Sequence, residues 1–448
     1  MGTGINAEAA AANADARRRK EENISMEGTE KTSIYLIGIG PGSADCLTWE
    51  AVQAIRQADV RIGASRMLQV CEDICGEEGH SAEETCYDAY LPNEVMNLIR
   101  KHTGETIALL FSGDIGFYSG AKRIRDMLKE EETAYDIHFI PGLSSVLYLI
   151  DKMGGLWEKA ELVSNHGTSA NVPAKLLHHS QVCTLLGYEG QVADICRRLT
   201  EVGLGDTPVI VGERLSYADE KITKNFAKNL CESSFDRLAV AMFLNAKPQA
   251  RRLAPGIPDD AFIRGNVPMT KEEVRAAVIS KLRITDYVAK DTPPVIYDVG
   301  AGTGSVSVEM ALLTETGTVY AIEQHPKAVE LLYENRRKFH TGNMEILAGE
   351  ATGIIPELPA PTHVFIGGSG GNMLKIVEQV YQKNVNARIV ITSVTMETQA
   401  ELFTLAEMAK ETGRKFDMLQ MAVTRITEVG RYHMQQAENP VWIATISS

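Results

Sequence analysis

Two series of short apolar runs dominate this chain, each run closed by a glycine turn and followed by an amphipathic helical pattern, which restricts it to an α/β architecture. The first series holds SIYLIGIG (33–40), ETIALLFSGDIGFYSG (105–120), IHFIPGLSSVLYLI (137–150), VCTLLGY (182–188), TPVIVGERL (207–215) and FDRLAVAMFLN (235–245). The second begins with a helix over 270–284, where Thr270 and Glu273 have the spacing of a capping box. PVIYDVG, GTVYAIE, MEILAGE, HVFIGG and RIVITSV then follow as strands with helices between them, and AVTRITEV and PVWIATIS close the chain as two late strands. This pattern predicts an open, mainly parallel sheet with an antiparallel edge.

At 448 residues the chain exceeds one ordinary core. Residues 246–260 carry prolines and lose periodicity, and they read as a linker between a unit over 31–245 and one over 261–448. The break at Pro141 suggests two lobes within the first unit. Residues 1–30 are Ala-rich, then charged, and read as a frayed helix or disordered leader. No run of about 18 uncharged apolar residues occurs, so membrane spanning is not expected. The seven cysteines form no CxxC unit, which predicts neither a disulfide framework nor a zinc site and suits a reducing, cytoplasmic compartment. A net charge of −14 disfavours nucleic acid as a partner, because phosphate binders gain affinity from Lys and Arg.

The strongest single motif is Asp298-Val-Gly300-Ala301-Gly302-Thr303-Gly304, directly after a strand and before a helix. Glycine serves where the chain turns tightly and where backbone must approach a ligand. Glu323 ends the next strand, 25 residues after Asp298, where a carboxylate can accept ribose hydroxyls. Gly349, Glu350 and Ala351 end the third, beside an expected adenine edge. The GxGxG spacing differs from the GxGxxG of dinucleotide folds and favours S-adenosyl-L-methionine, which has no pyrophosphate to cradle.

From about Pro255 to Ser448 the chain resembles the CbiT-type decarboxylating cobalt-precorrin methyltransferases, through PGIPDDAFIRGNVPMTKEEVRA, DVGAGTGSVSVEMA, AIEQHP, FIGGSGG and NPVWIATI. That resemblance implies a Rossmann-like class I methyltransferase fold. It also places Thr270 beside the cofactor, with Gly300 to Gly304, Glu323 and Ala351.

In the first half, Gly38-Ile-Gly-Pro41-Gly42, Ser112-Gly-Asp114-Ile-Gly116-Phe-Tyr118 and Pro141-Gly-Leu-Ser144-Ser145 each end a strand, and three such loops can line one crevice. As an ordered set, with VSNHG, LLGYEG and VGERLSYADEKI, they resemble the tetrapyrrole methylase family in its CbiE branch across 33–245. The resemblance implies a two-lobed fold with S-adenosylmethionine bound near Pro41, Gly42, Asp114, Gly116, Ser144 and Ser145. Ile115 stands where that family commonly has proline. Asp114, Tyr118 and His166 are the candidate catalytic residues. Asp114 is expected to shape the pocket more than to act as base, and His166 reads equally as a group facing the ring or as a hydrogen-bonded core histidine.

A chain joining both halves resembles precorrin-6Y or cobalt-precorrin methyltransferases. The resemblance implies methylation of ring carbons 5 and 15, loss of carbon dioxide from the ring-C acetate, one S-adenosylmethionine site per half, no metal, a small-molecule tetrapyrrole substrate and a homo-oligomer. Arg264, Lys271 and Arg275 are expected to form a positive rim for the carboxylate-rich substrate, or else a solvated helix face. The alternatives are an RNA methyltransferase and a non-catalytic tetrapyrrole-binding protein.

Overall fold

The computed structural model describes residues 31–75, 86–131, 135–165, 170–251, 254–284 and 293–448. The leader over 1–30 and His166 lie outside them. By internal contacts the described residues form two compact units. One takes those up to Trp157 with Gly212–Thr223 and Asp236–Val240, and the other takes Glu158–Val211, Lys224–Phe235 and Ala241–Ser448.

The first unit is built on a five-stranded sheet of Ser33–Gly38 (β1), Val60–Gly63 (β2), Cys86–Asp88 (β3), Thr106–Phe111 (β4) and Asp136–Ile140 (β5), in the order β3-β2-β4-β1-β5. Every pairing in it is parallel. Parallel strands are covered on both faces, and β1 shows it: Ile34 and Leu36 on one face and Ile37 on the other are all fully buried. A second sheet, in the order β6-β7-β10-β8-β9, joins Ala160–Ser164 (β6), Gln181–Leu185 (β7), Pro208–Glu213 (β8), Lys221–Phe226 (β9) and Ala239–Leu244 (β10).

The third sheet holds Val295–Val299 (β11), Thr318–Glu323 (β12), Met344–Ala348 (β13), His363–Ile366 (β14), Arg388–Ser393 (β15), Lys415–Met421 (β16) and Val441–Ser447 (β19). Its order is β13-β12-β11-β14-β15-β19-β16. The first five strands run parallel, and β19 inserts antiparallel between β15 and β16. The mainly parallel sheet with an antiparallel edge is therefore present, but its closing strands differ from the expectation. The partner of PVWIATIS is Lys415–Met421. AVTRITEV instead supplies Thr424–Val429 (β17), which pairs with Tyr432–Ala437 (β18) in a separate hairpin. Gly430, at φ 64°, turns that hairpin in two residues.

The capping box expected from Thr270 and Glu273 does not form. The helix runs Glu272–Leu282 with Lys271 at its N-cap and no side-chain cap bond. Glu273 instead accepts two hydrogen bonds from Arg425 at 3.1 and 2.8 Å, and Arg425 also reaches Glu438 at 2.6 Å. A long-range ion pair thus replaces the local reciprocal cap.

Candidate functional site

A cleft of about 1390 Å³ opens at the carboxyl ends of β11, β12, β13 and β14, within the second unit. In parallel α/β sheets this end collects ligands, because strand-to-helix turns leave unpaired amides there. The turn Gly300 to Gly304 forms the floor. Each of its glycines has positive φ, at 71°, 57° and 80°, which a side chain would strain.

The three glycines do different work. A Cβ on Gly300 would lie 2.5 Å from the Gly368 carbonyl oxygen, and one on Gly304 would lie 2.6 Å from Leu332. Both therefore serve packing. A Cβ on Gly302 would stand 3.2 Å from the Pro268 carbonyl oxygen, at the lining of the cleft, so this position keeps the floor open to a ligand.

Glu323 is 6% exposed and its carboxylate is fixed by main chain. Oε2 accepts from the Gly302 amide at 2.9 Å, and Oε1 accepts from Gln324 and His325 at 2.8 and 2.9 Å. Three donors occupy three of the roughly four lone-pair sites and leave one free on an oriented carboxylate, which suits a ribose hydroxyl. Beneath the floor Asp298 is fully buried. Ser307 donates to one of its oxygens and the other has no hydrogen-bond partner. Burial pushes its pKa up to about 7, against the pull of Ser307, and Glu323 adds to the rise.

Gly300, Ala301, Gly302, Glu323, Glu350, Ala351, Thr270 and Lys271 all line this cleft. Thr303 and Gly304 stand behind it, Thr303 being 1% exposed and Gly304 forming the N-cap of the helix Ser305–Leu313. Glu350 accepts from Thr352 and Asn372. The lining also includes Gln324, His325, the Gly367–Gly370 turn and Gln436–Asn439 at the end of β18, none of which sequence reasoning selected as site residues. The glycine cluster after β14 was the available signal, since it repeats the strand-to-glycine pattern of β11.

The positive rim needs correction. Arg275 is fully buried, not at the mouth. Its guanidinium donates to Glu309 at 2.6 Å, to Asp259 at 3.2 Å and to the Thr270 carbonyl at 2.6 Å, and also to the Ile257 carbonyl. Glu309 in turn accepts from the Gly256 and Ile257 amides at 2.8 and 3.0 Å. Arg275 is thus a positioning residue that ties the chain before the domain, and the Thr270 segment of the cleft, to the core. Lys271 lines the cleft with its ammonium 3.8 Å from Asp259, whereas Arg264 is exposed and outside the lining.

In the first unit the three glycine loops meet as expected at the carboxyl ends of β1, β4 and β5. Gly40 and Gly113 exchange amide bonds at 3.2 and 2.8 Å. A Cβ on Gly142 would lie 2.4 Å from the Gly113 carbonyl oxygen, and one on Gly38 2.7 Å from the Gly142 nitrogen. Asp114 joins two of these loops, one oxygen accepting from Gly116 at 2.7 Å and the other from Gly142 at 3.1 Å. Ser144 is buried and caps the helix Ser145–Lys152. Gly42 is buried against the Tyr217 ring, beside Pro41. Tyr118 is 55% exposed at φ 48°, so the β4 loop holds its ring outward in a strained backbone.

Comparison with known proteins agrees with both halves. Residues 260–447 match the precorrin methyltransferase domain family, and residues 33–231 match the tetrapyrrole (corrin/porphyrin) methylases. The chain is 26% identical over 372 residues to a precorrin-6Y C(5,15)-methyltransferase (decarboxylating) from a Sinorhizobium species, across 82% of this chain and 86% of that one. It is 38% identical over 187 residues to the cobalt-precorrin-6B C(15)-methyltransferase (decarboxylating) of Salmonella typhimurium, across 41% of this chain and 92% of that one. A crystal structure of a precorrin-6y C5,15-methyltransferase from Geobacter metallireducens GS-15 matches 44% of this chain and 98% of its own, at 33% identity and a TM-score of 0.40. Among the described residues no helix is long and apolar enough to cross a membrane. With a glycine-floored cleft, a carboxylate held at its edge by three backbone amides and these relatives, the chain belongs to the precorrin methyltransferase family, whose activity implies S-adenosylmethionine as the methyl donor.

Proposed function

We propose that this chain methylates carbons 5 and 15 of a precorrin or cobalt-precorrin ring and removes the carboxyl group of the ring-C acetate, with one S-adenosylmethionine site in each half. The observation that carries this reading is the presence, in one chain, of two separate sets of glycine loops at parallel strand ends. The Sinorhizobium relative, named for both methylations, matches across both sets.

The residues of the C-terminal cleft fit the donor. Gly302 leaves the floor open where a Cβ would intrude, and Glu323 is held to receive a ribose hydroxyl. The cleft is larger than the roughly 300–1000 Å³ usual for one small ligand, which leaves room for donor and macrocycle together. When bound, S-adenosylmethionine supplies a methyl group already activated on a sulfonium. The protein's contribution is then alignment and exclusion of water, and alignment alone can lower a barrier by about 7–11 kcal/mol. Glu323 and the Gly300–Gly304 turn orient the donor end, and Lys271 at the lining faces a substrate carboxylate.

Loss of carbon dioxide leaves its bonding electrons on the ring-C side chain, from which conjugation carries them to the meso carbon that is methylated. Decarboxylation and carbon-15 methylation therefore belong together in this cleft, and carbon-5 methylation belongs to the crevice of β1, β4 and β5. There Asp114 holds two loops in register, and Tyr118 presents an aromatic face toward the ring.

Mass spectrometry of the full chain with a metal-free or cobalt-loaded precorrin tests the reading. The expected product has gained two methyl groups and lost one carbon dioxide. In Glu323→Ala the carbon-15 methyl is expected to be missing while the carbon-5 methyl remains. A product with neither methyl from the unaltered chain overturns the function, and loss of both methyls in the variant overturns the division.

A further inference from the structure

A second cavity, of about 710 Å³, lies at the opposite end of the third sheet from the cleft. It gathers the amino ends of four strands and the carboxyl end of a fifth. Pro294 precedes β11, His363 opens β14, Arg388 opens β15, Lys415 opens β16, and Thr445 and Ser447 end β19. Lys281 and Arg283 close it from the end of the helix Glu272–Leu282. The strands between cavity and cleft run four to six residues at about 3.3 Å each, a separation on the order of 13–20 Å. No single small molecule in the cleft reaches both.

The charge of this cavity runs against that of the chain. Four cationic side chains, Lys281, Arg283, Arg388 and Lys415, line it against one side-chain carboxylate, Asp417, and the main-chain carboxylate of Ser448, in a protein of net charge −14. Asp417 is engaged by Lys281 at 2.8 Å. Arg388 is half-buried and spends its Nε on the Lys281 carbonyl at 2.6 Å. Arg283 and Lys415 make no side-chain hydrogen bond or ion pair among the described residues.

Two further observations indicate that the positive charge is only partly compensated. Burial and then the neighbouring Arg283 hold the Arg388 pKa below its usual value although Asp417 pulls it the other way, so the repulsion between the two guanidiniums outweighs the one carboxylate near them. Burial, with Arg388 adding to it, lowers the His363 pKa to about 4, which keeps that imidazole neutral at physiological pH. Thr445, 5% exposed and in the cavity lining, has a buried hydroxyl with no hydrogen-bond partner. A buried orphan hydroxyl is costly, and clustered cations add to that cost. A bound oxyanion relieves the clustered charge.

We propose that this cavity is a binding site for a small anion bearing at least two carboxylate or phosphate groups, separate from the methyl-transfer cleft. Its volume lies within the range of small-ligand pockets. The planar forks of Arg283 and Arg388 suit bidentate recognition of either group, while Lys415 contributes a point charge. Asn384, Asn386 and Thr362 supply neutral polar atoms around them.

The test is calorimetric titration of the full chain at about 0.15 M salt, where weak surface attraction is screened, with inorganic pyrophosphate in one arm and citrate in the other. At least one is expected to bind with Kd below roughly 1 mM. Arg283→Gln, an exposed side chain whose loss leaves the core intact, is expected to weaken that binding about tenfold, the usual scale for one charged hydrogen-bonded contact. Affinity for S-adenosylhomocysteine is expected to stay unchanged. Tighter pyrophosphate identifies a phosphate ligand and tighter citrate a carboxylate ligand, and either supports the site. Absence of binding in both arms, equal affinity in Arg283→Gln, or displacement of the anion by S-adenosylhomocysteine overturns it.

Discussion

The crevice of β1, β4 and β5 and the cleft of β11 to β14 hold their glycine loops by different forces. In the first, main chain rests on main chain: Gly38, Gly113 and Gly142 meet at distances no Cβ permits, and Asp114 only laces the loops together. The second stands on buried ionisable groups, with Asp298 under the floor, Glu323 at its edge and Arg275 with Glu309 behind the Thr270 segment. The comparison teaches that one position for a ligand can be fixed by steric interlock or by a charge network. The first kind should fail when a methyl group is added, and the second when a charge is removed or pH is changed.

The largest expected effect is at Arg275. Arg275→Ala leaves the Glu309 carboxylate, 2% exposed, without its cation, and removing one partner of a buried pair costs about 3–5 kcal/mol. Denaturant unfolding of the full chain should show the C-terminal transition moving to lower denaturant. A change below about 1 kcal/mol would mean that the cleft does not depend on this network.

Asp298 gives the pH arm of the comparison. Its folded carboxyl keeps its proton up to about pH 7, while the unfolded one releases it near 3.8. The native state therefore binds the extra proton across that window, and this group's contribution falls as pH rises through it, by up to about 4 kcal/mol. Asp298→Asn should remove this slope, so that the variant gains relative to the parent between pH 5 and pH 8 in thermal melts, roughly the upper half of the window. A parallel pH profile for parent and variant would show that Asp298 stays ionised.

The steric arm is Gly142→Ala. Its added methyl would meet the Gly113 carbonyl oxygen at 2.4 Å, backbone that cannot rotate away, and overpacking of this kind costs about 1–3 kcal/mol. Carbon-5 methylation should fall sharply and carbon-15 methylation should persist. Equal loss of both would break the comparison.

These contrasts mark what the residues disclosed in advance. Glycine loops, the alternation of strand and helix, and Glu323 at its strand end were legible because each is local: a strand, a turn and a helix start lie within a dozen residues, and glycine takes the positive φ values at 300, 302 and 304 most readily. Arg275 was misread as a surface cation because its partners, Asp259 and Glu309, lie 16 and 34 residues away. Burial of a charge is a tertiary property. The capping box failed for the same reason, since Arg425, 152 residues on, takes Glu273. Lys415–Met421 was missed because it is an edge strand whose KFDMLQM pattern is only half-buried, so its hydrophobic alternation is weak.

The smallest effect discriminates the two regions most finely, because it compares two carboxylates that both receive backbone amides. Glu323 accepts three amide bonds and Asp114 two. If the charge of Glu323 serves the ribose, Glu323→Gln should weaken S-adenosylhomocysteine binding in the cleft about tenfold, the cost of replacing a charge-assisted hydrogen bond by a neutral one. If Asp114 serves the loops alone, Asp114→Asn should weaken donor binding in the crevice less than about threefold, since the one amide oxygen that remains still accepts from one loop. Calorimetry resolving two sites per chain reads both numbers. A larger effect at Asp114 than at Glu323 would mean that the crevice, like the cleft, reads its donor through charge, and that the steric interlock only frames it.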